Sequence, residues 1–337
     1  MKRIFVLCLS MVLVLSLFGC AGSSETPETT LADPTEQTQT PEEQEWLRVL
    51  TIGNSHTNDT TNLLQMVFAA EMPEQKVLIG NMYYSGCPMD KHVAFAKANS
   101  PEYEYMKNDS GTWNNTEGTT LSYALREQAW DVVILHEMNT KAGQEGTYSV
   151  NYTQQLIDYV KENTYFEPTF IYHMPWANPV DETFFGLTYD PQPPGSWVTN
   201  YQATYNMNYD TMFEKLLYMT QTYVVPIEAI SATIPCGTAL HYANNALDQT
   251  DIDLFRDYTH LSDYGRLLAS YVWYCTITGK TEITEVNVDV IPAGMRHRRA
   301  KVLGDLEITE EMQQTIIECA NYSLEHAWEM PEVLRSK

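Results

Sequence analysis

Short apolar runs that alternate with helix-like stretches constrain the fold of this chain more than any other feature of its sequence. The strand-like runs are residues 47–52, 76–83, 131–135, 169–174 and 224–227, and the helix-like stretches are 59–71, 121–128, 152–160, 201–218 and 262–278, with a last helix starting at Thr309. The run 131–135 is apolar after its first residue, which is typical of a strand buried on both faces. This alternation predicts an α/β fold in which helices cover both faces of a parallel sheet.

Two long stretches rich in aromatic residues interrupt this alternation. They are residues 100–120, with Tyr103 and Trp113, and residues 175–200, with Trp176. Long connections of this kind in a compact α/β domain are usually functional. We therefore expect both stretches to be loops or lids.

The N-terminus has the pattern of a secretory signal. Lys2 and Arg3 precede an almost wholly apolar run, residues 4–18, which is short for a membrane-spanning helix of about 20 residues. The run ends in Leu-Phe-Gly-Cys, which resembles the lipobox of bacterial lipoproteins, where the cysteine becomes the lipidated first residue of the mature protein. We therefore expect residues 1–19 to be a signal peptide and Cys20 to carry lipid. An ordinary cleaved signal with a chance cysteine is the alternative.

Composition separates a linker from a folded body. Residues 21–45 contain seven acidic residues and no basic ones, so they cannot bury enough apolar surface to fold. We expect residues 20–45 to tether one exported domain, residues 46–337, to the outer face of the bacterial cell membrane. The formal charge of the chain is −24, which disfavours nucleic acid or anionic lipid as a partner held by charge.

The four cysteines of the body are far apart in the sequence. They are Cys87, Cys236, Cys275 and Cys319, and none forms a CxxC pattern typical of metal or redox sites. Cys275 lies in an apolar run and is expected to be a buried free thiol. A Cys87–Cys236 disulfide is an alternative for two of the others.

Gly53-Asn54-Ser55 follows the first predicted strand and precedes the first predicted helix. Such a serine stands at the carboxyl edge of a parallel sheet, where α/β folds place their sites, and the next helix directs its free N–H groups toward it. The pattern alone is a weak signal, because Gly-polar-Ser after a strand is often only a helix cap.

Asp257 and His260 form a second polar pattern, just before a helix that Ser262 can cap. A carboxylate three residues before a histidine can bind one imidazole nitrogen and leave the other free to act as a base. By itself this spacing is also weak, because it recurs by chance in loops.

Together these patterns resemble the SGNH (GDSL-type) hydrolase superfamily. The resemblance rests on Gly-Asn-Ser at 53–55, Tyr-Ser-Gly-Cys at 84–87 and Asp-x-x-His-Leu-Ser-x-x-Gly at 257–265. It covers residues 46–280 and is closest to a bacterial branch whose function is largely open. It implies a flavodoxin-like, three-layer α/β/α fold and ester hydrolysis. It also implies Ser55 as nucleophile, His260 as general base and Asp257 as the residue that orients the histidine.

The oxyanion donors follow from the same resemblance, which implies the backbone N–H groups of Ser55 and Gly86. The third block of the superfamily usually reads Gly-x-Asn-Asp and supplies an Asn donor, whereas this chain reads His-Glu-Met-Asn at 136–139. We expect Asn139 to be that donor, with His136 as the alternative. Gly53, which allows the tight turn, and Asn54 are expected to support the site.

The other histidines and charges give no further site. His56 is expected at the surface or beside the site, and His173 either lines the cleft or packs in the core. No cluster of His, Asp or Glu has metal-ligand spacing, so we expect neither a metal nor another cofactor. The basic run from Arg296 to Lys301 is expected to be a solvated turn.

These observations favour a cell-surface serine esterase that acts on an ester-bearing small molecule or an acetylated glycan. Aromatic loops suit neutral glycans, because an aromatic ring offers a flat apolar face to a sugar. A carbohydrate O-acetylesterase is therefore expected. A lipid or thioester hydrolase and a non-catalytic glycan-binding lipoprotein are the alternatives.

Overall fold

The computed structural model describes residues 45–179, 204–206, 208–246, 253–296 and 304–330. The strands are β1 (Trp46–Gly53), β2 (Lys76–Tyr83), β3 (Tyr103–Asn108), β4 (Trp113–Thr119), β5 (Val132–His136), β6 (Thr169–His173), β7 (Ile230–Ile234), β8 (Val290–Ile291) and β9 (Leu306–Glu307). The helices are α1 (Ser55–Glu71), α2 (Met89–Ala98), α3 (Leu121–Glu127), α4 (Asn139–Ala142), α5 (Tyr152–Asn163), α6 (Tyr209–Met219), α7 (Cys236–Ala246), α8 (Asp263–Thr278) and α9 (Glu310–Glu325). None of these helices is both long and apolar enough to cross a membrane.

Several predicted segments lie outside the described residues. These are the signal segment, Cys20, nearly all of the linker, most of the stretch 175–200 and the part of the basic run after Arg296. Arg296 itself is not solvated in the way predicted, because its Nε donates to the buried Asp263 at 3.1 Å.

Seven of the strands form one sheet in the order β4-β3-β2-β1-β5-β6-β7. The five strands from β2 to β7 in this order are parallel, whereas β3 pairs antiparallel with β2, and β4 antiparallel with β3. Numbered alone, the parallel strands have the order 2-1-3-4-5, which is that of flavodoxin-like folds. Their carboxyl ends therefore share one edge, with Ser55 directly after β1.

Alternate residues of each strand face two different cores, which produces three layers. Val49 of β1 packs in a core with the helices α1, α7, α8 and α9, and the next residue, Leu50, packs in a core with α2, α3 and α5. Every residue of β5 is buried, as the apolar run predicted. The predicted three-layer α/β/α fold is confirmed.

Helix starts follow the capping side chains that the sequence indicated. The Ser262 hydroxyl accepts from Gly265 N at 3.1 Å and begins α8, and the Thr309 hydroxyl accepts from Met312 N at 3.2 Å and begins α9. These bonds satisfy N–H groups that have no partner within the helix.

The stretch 100–120 is not a loop or lid, and this prediction was wrong. It forms the β3–β4 hairpin that extends the sheet, with Tyr103 and Tyr105 buried at 0% and 2% exposure. β4 reads Trp-Asn-Asn-Thr-Glu-Gly-Thr and is exposed over most of its length. An edge strand needs no apolar face, so its sequence lacks the usual strand signal.

One smaller expectation also fails, and one alternative is excluded. Residues 224–227 are not the fifth parallel strand: Thr220–Val224 continues α6 as a π-helical turn, and the strand is Ile230–Ile234. Short apolar runs fit a buried turn as well as a strand. The Cys87–Cys236 disulfide does not form, since all four cysteines of the body are free and buried. Cys275 is a buried free thiol, as predicted.

The glycine of the late motif has a specific packing role that can be tested. A Cβ on Gly265 would lie 2.2 Å from the Leu254 carbonyl oxygen, which belongs to the segment that leads to His260. We expect Gly265→Ala to lower the free energy of unfolding by about 1–3 kcal/mol, measured by urea denaturation.

Gly294→Ala is the matched control, because a Cβ there meets nothing within 4 Å. It is expected to change stability by less than about 0.5 kcal/mol. Equal stability of the Gly265 and Gly294 variants would contradict this packing argument.

Candidate active site

Ser55 is the first residue of α1 and lies half-buried at the carboxyl edge of the sheet. The turn before it requires glycine, because a Cβ on Gly53 would lie 2.4 Å from the Thr57 Cγ2 atom. The Thr57 hydroxyl in turn donates to the Asn54 carbonyl oxygen at 2.8 Å. A residue with a side chain at position 53 would therefore push the first turn of α1, and Ser55 with it, out of place.

Asn54 joins the turn after β1 to the loop after β2. Its Oδ1 accepts from His56 N at 3.0 Å and caps α1, while its Nδ2 donates to the Cys87 carbonyl oxygen at 3.0 Å. A backbone bond from Tyr84 N to the Gly53 carbonyl oxygen, 3.2 Å long, adds a second connection. Hydrogen bonds therefore join the Gly-Asn-Ser motif at 53–55 directly to the Tyr-Ser-Gly-Cys motif at 84–87.

Gly86 sits at the tip of this second loop with φ +59°, a left-handed conformation that favours glycine. It is exposed, and a Cβ there would meet no atom within 4 Å. The backbone N–H groups of Ser55 and Gly86 make no hydrogen bond to any described residue. Both groups are thus free to bind a ligand oxygen.

Asp257 and His260 form a close pair. The His260 Nδ1 atom lies 3.0 Å from both carboxylate oxygens of Asp257, and Asp257 Oδ1 also accepts from the backbone N–H groups of Thr259 at 3.0 Å and His260 at 2.8 Å. Burial alone would raise the pKa of Asp257, but these hydrogen bonds outweigh it and hold the pKa well below its usual range. The carboxylate therefore stays ionised and fixes the proton on Nδ1, which leaves Nε2 as the free nitrogen.

A buried carboxylate on α1 fastens the His260 segment to the Ser55 helix. Asp59 is 1% exposed; its Oδ1 accepts from Arg266 Nη2 at 2.7 Å and Arg256 Nη1 at 2.8 Å, and its Oδ2 accepts from Leu261 N at 2.9 Å. Leu261 directly follows His260. These charge-assisted bonds hold two segments that are about 200 residues apart in the chain.

Thr259, directly before His260, is held by three other residues. Its hydroxyl lies 3.0 Å from His56 Nε2 and 3.4 Å from Asn139 Nδ2, and its carbonyl oxygen accepts from Trp176 Nε1 at 2.7 Å. The His56 and Trp176 rings stack at 4.0 Å, and the His56 ring meets the His260 ring edge-on at 6.3 Å. The residue after Ser55 therefore reaches the residue before His260.

Asn139 begins α4 at the end of β5 and is 4% exposed. Its Nδ2 donates to Asn178 Oδ1 at 2.7 Å and to the Trp176 carbonyl oxygen at 3.3 Å. Its amide thus lies beside Thr259, at the same edge of the sheet as Ser55. His136 is instead fully buried inside the sheet, with Nδ1 donating to the His173 carbonyl oxygen at 3.4 Å.

Three fully enclosed histidines line up behind this edge. The ring centroids of His56 and His136 are 5.5 Å apart, and those of His136 and His173 are 4.8 Å apart. His56 is 3% exposed and lies beside the site, the second of the two positions expected for it, and His173 packs in the core. No group of three His, Cys, Asp or Glu among the described residues is placed to hold a metal ion.

Burial keeps these three histidines neutral. It lowers the pKa of His136 to about 3 and lowers those of His56 and His173 well below their usual range, with a further lowering from neighbouring histidines. Both ring nitrogens of His173 lack a hydrogen-bond partner among the described residues. A positive charge on any of the three rings would therefore be strongly unfavourable.

The sequence reasoning missed Asp59, Arg266 and Thr259. Asp59 and Arg266 carried a signal, because each is a charged residue near the start of a helix that packs largely in the core. A buried charge needs a partner, so the two could have been paired. Thr259 carried no signal, since its contacts depend on four segments that meet only in the folded chain.

The neutral histidines predict a pH-dependent stability. The folded pKa of His173 lies below its ordinary value of 6.5, so above that pH both states are neutral, and below it only the unfolded chain gains a proton. The contribution of His173 to stability therefore falls as the pH drops from 7 to 5. We expect His173→Phe to recover about 2 kcal/mol of that loss, measured by urea denaturation at both pH values.

The control is Trp273→Phe, which changes a buried ring that packs against His173 at 5.1 Å and carries no ionisable group. Its difference in stability between pH 7 and pH 5 should equal that of the parent protein. An unchanged pH dependence in the His173 variant would show that this ring gains its proton in the folded state too.

Among solved structures, the chain is similar to a DUF4886 family protein from Bacteroides uniformis ATCC 8492, at 22% identity and a TM-score of 0.67, covering 87% of this chain and 100% of that one. This likeness shows a shared fold.

Weaker likenesses include a catalytic mutant of an acetylxylan esterase from Geobacillus stearothermophilus (15% identity, TM-score 0.39, 68% of this chain and 94% of that one). Another is a Clostridium thermocellum family 3 carbohydrate esterase (12% identity, TM-score 0.36, 69% and 96%). Structural similarity as weak as this does not show a shared activity.

No curated protein sequence matches the chain. The family model described as "Domain of unknown function (DUF4886)" matches residues 48–302, which include every candidate site residue discussed above except Cys20. The chain therefore belongs to the DUF4886 family.

Proposed function

We propose that this protein is an SGNH-type serine esterase with Ser55, His260 and Asp257 as its triad. One observation carries the proposal: the Asp257–His260 pair is fastened by Asp59 against the helix that starts with Ser55. Free backbone N–H groups beside that serine add support. A serine, an oriented histidine and free N–H donors at one edge of a sheet are the parts that acyl transfer needs.

The proposed reaction uses each residue in turn. The Ser55 Oγ atom attacks the ester carbonyl carbon while His260 Nε2 takes the hydroxyl proton, and Asp257 stabilises the imidazolium that forms. The tetrahedral intermediate collapses, and His260 returns the proton to the leaving alcohol. Water then attacks the acyl-enzyme with His260 as base, which releases the acid and restores the Ser55 hydroxyl.

The oxyanion is proposed to bind to the free N–H groups of Ser55 and Gly86 and to the Asn139 amide, which must release Asn178 or the Trp176 carbonyl in order to donate. Each such donor contributes roughly 10²–10³ in rate in known hydrolases. Asn139 is favoured over His136, because its amide lies beside Thr259 whereas the His136 ring is enclosed in the sheet. In this assignment Gly53 and Asn54 keep the first two donors in place.

We also propose that the enzyme is a lipoprotein on the outer face of the cell membrane and removes O-acetyl groups from carbohydrate. A protein tethered there by Cys20 meets extracellular polymers first. Its formal charge of −24 disfavours anionic lipid as a substrate surface. The stretch 100–120 offers no aromatic lid for a glycan, since it is a hairpin of the sheet in which Tyr103 and Tyr105 are buried.

The nucleophile is tested by turnover of p-nitrophenyl acetate with the full-length chain. Ser55→Ala should lower kcat by at least about 10³-fold and leave the melting temperature nearly unchanged, because the hydroxyl serves chemistry and not packing. Ser110→Ala is the matched control, an exposed serine in the turn between β3 and β4, and should retain full activity. Retained turnover in the Ser55 variant, or a loss confined to the Ser110 variant, would overturn the assignment.

The anchor is tested by fractionating cells that produce the chain. Cys20→Ser should move the protein from the membrane fraction to the soluble fraction, since lipid on Cys20 is the proposed attachment. Cys319→Ser, a buried cysteine of the body, is the control and should still sediment with membranes. Sedimentation of the Cys20 variant with membranes would contradict the lipoprotein proposal.

A further inference from the structure

A cavity opens beside the loop that carries Gly86, between the first residues of α2 and α5. The cavity measures ≈ 80 Å³ and opens to solvent at its mouth. The lining residues that matter for recognition are Glu137, Thr147, Tyr148, Asn151, Thr153 and Tyr223. Nothing in the proposed mechanism uses this cavity.

Glu137 ties the cavity to the candidate active site. It is 3% exposed, and its Oε1 accepts from Met89 N at 3.1 Å and Met138 N at 2.7 Å. Met89 follows the Gly86 loop as the first residue of α2, and Met138 directly precedes Asn139. The carboxyl group therefore lies between the segments that carry two of the proposed oxyanion donors.

The charge of this carboxyl group varies near neutral pH. Burial raises the pKa of Glu137 to about 7, against the two N–H bonds that lower it. The groups that face it are the Lys141–Asp90 ion pair, the Cys87 thiol and the hydroxyls of Tyr148 and Tyr172. The Glu137 side chain can therefore accept hydrogen bonds when it is ionised, and it can also donate one when it is protonated.

The walls of the cavity offer both aromatic faces and uncharged hydrogen-bonding groups. The Tyr148 and Tyr223 rings stack at 5.1 Å with an interplanar angle of 8°. The Thr153 hydroxyl has no hydrogen bond to another described residue, although Thr153 is only 6% exposed. Asn151 caps α5 with its Oδ1, which accepts from Gln154 N at 3.1 Å, so its NH₂ group is left to donate.

These groups define the ligand class. None of the described residues that line the cavity is Lys, Arg or His, so an anion would meet the Glu137 carboxyl without a compensating charge. Donors and acceptors interspersed with aromatic faces suit a ring that carries several hydroxyl groups. A cation would use the carboxylate but not the Asn151 and threonine donors.

We propose that this cavity binds one neutral sugar ring, as a subsite for the hydroxyl-bearing part of the substrate. The role as a substrate subsite rests on the proposed esterase function, whereas the binding of the sugar does not. The subsite lies at the same edge of the sheet as Ser55. It would therefore hold a sugar while an ester on the same substrate occupies the active site.

The binding test uses the full-length chain with Ser55→Ala, so that turnover does not interfere. Methyl β-D-glucopyranoside is titrated by isothermal calorimetry and is expected to bind with a Kd on the order of 1 mM. Adding Thr153→Val or Tyr223→Ala should weaken binding about 10-fold, because each removes a hydrogen bond or an aromatic face. Thr315→Val on α9, outside the cavity, is the matched control and should leave the Kd unchanged.

A charged sugar tests the position of Glu137. Glucuronate should bind more weakly as the pH rises through 7, because the carboxylate of Glu137 then repels it. Glu137→Gln keeps an acceptor for Met89 N and Met138 N and does not titrate, so this pH dependence should disappear in that variant. The same pH dependence in both proteins would place Glu137 outside the binding site.

Other outcomes overturn the proposal. These are no binding of the glucoside, binding that is equal in all variants, or binding of glucosamine alone, which would indicate a site for cations. The sugar-binding result can be separated from the esterase proposal. If the unmutated protein does not turn over p-nitrophenyl acetate, the esterase proposal is refuted, but the sugar measurement stays valid. Turnover without sugar binding would refute only the subsite.

Discussion

The carboxylate of Asp59 is the interaction on which the candidate site depends. It neutralises Arg266, which is only 3% exposed, and accepts the backbone N–H of Leu261. Removal of one partner from such a buried pair costs about 3–5 kcal/mol, because the other charge stays buried without compensation. The position of His260 relative to Ser55 is therefore set by electrostatics on α1 and not by the sheet alone.

Neutral imidazoles lie beside His260, with the His56 ring 6.3 Å from its ring and the His136 and His173 rings next in line. Burial keeps His56, His136 and His173 uncharged at physiological pH, while Asp257 remains ionised beside His260. When His260 takes up a proton during catalysis, the Asp257 carboxylate stabilises the positive charge, and no positively charged histidine ring nearby repels it. His56 also holds Thr259, so its neutral state serves both the electrostatics and the geometry of the site.

The sequence predicted the parts of the fold that depend on local pattern. The run 131–135 is apolar because both faces of β5 are covered, and Ser262 and Thr309 cap helices through atoms only three residues away. The β3–β4 hairpin was missed because an exposed edge strand needs no apolar alternation. Asp59 and Arg266 each stood out as a charge in a core-packed helix, but no local pattern joins two residues about 200 positions apart.

The most direct test of the account is covalent labelling with a fluorophosphonate, which reacts only with an activated serine and loses fluoride. Peptide mass spectrometry of the labelled full-length chain should find the phosphonyl group on Ser55, and His260→Ala should abolish the adduct while the protein stays folded. An unlabelled chain would contradict the claim that the Asp59-anchored segment activates Ser55. Labelling at another serine, or labelling that survives the loss of His260, would contradict it equally.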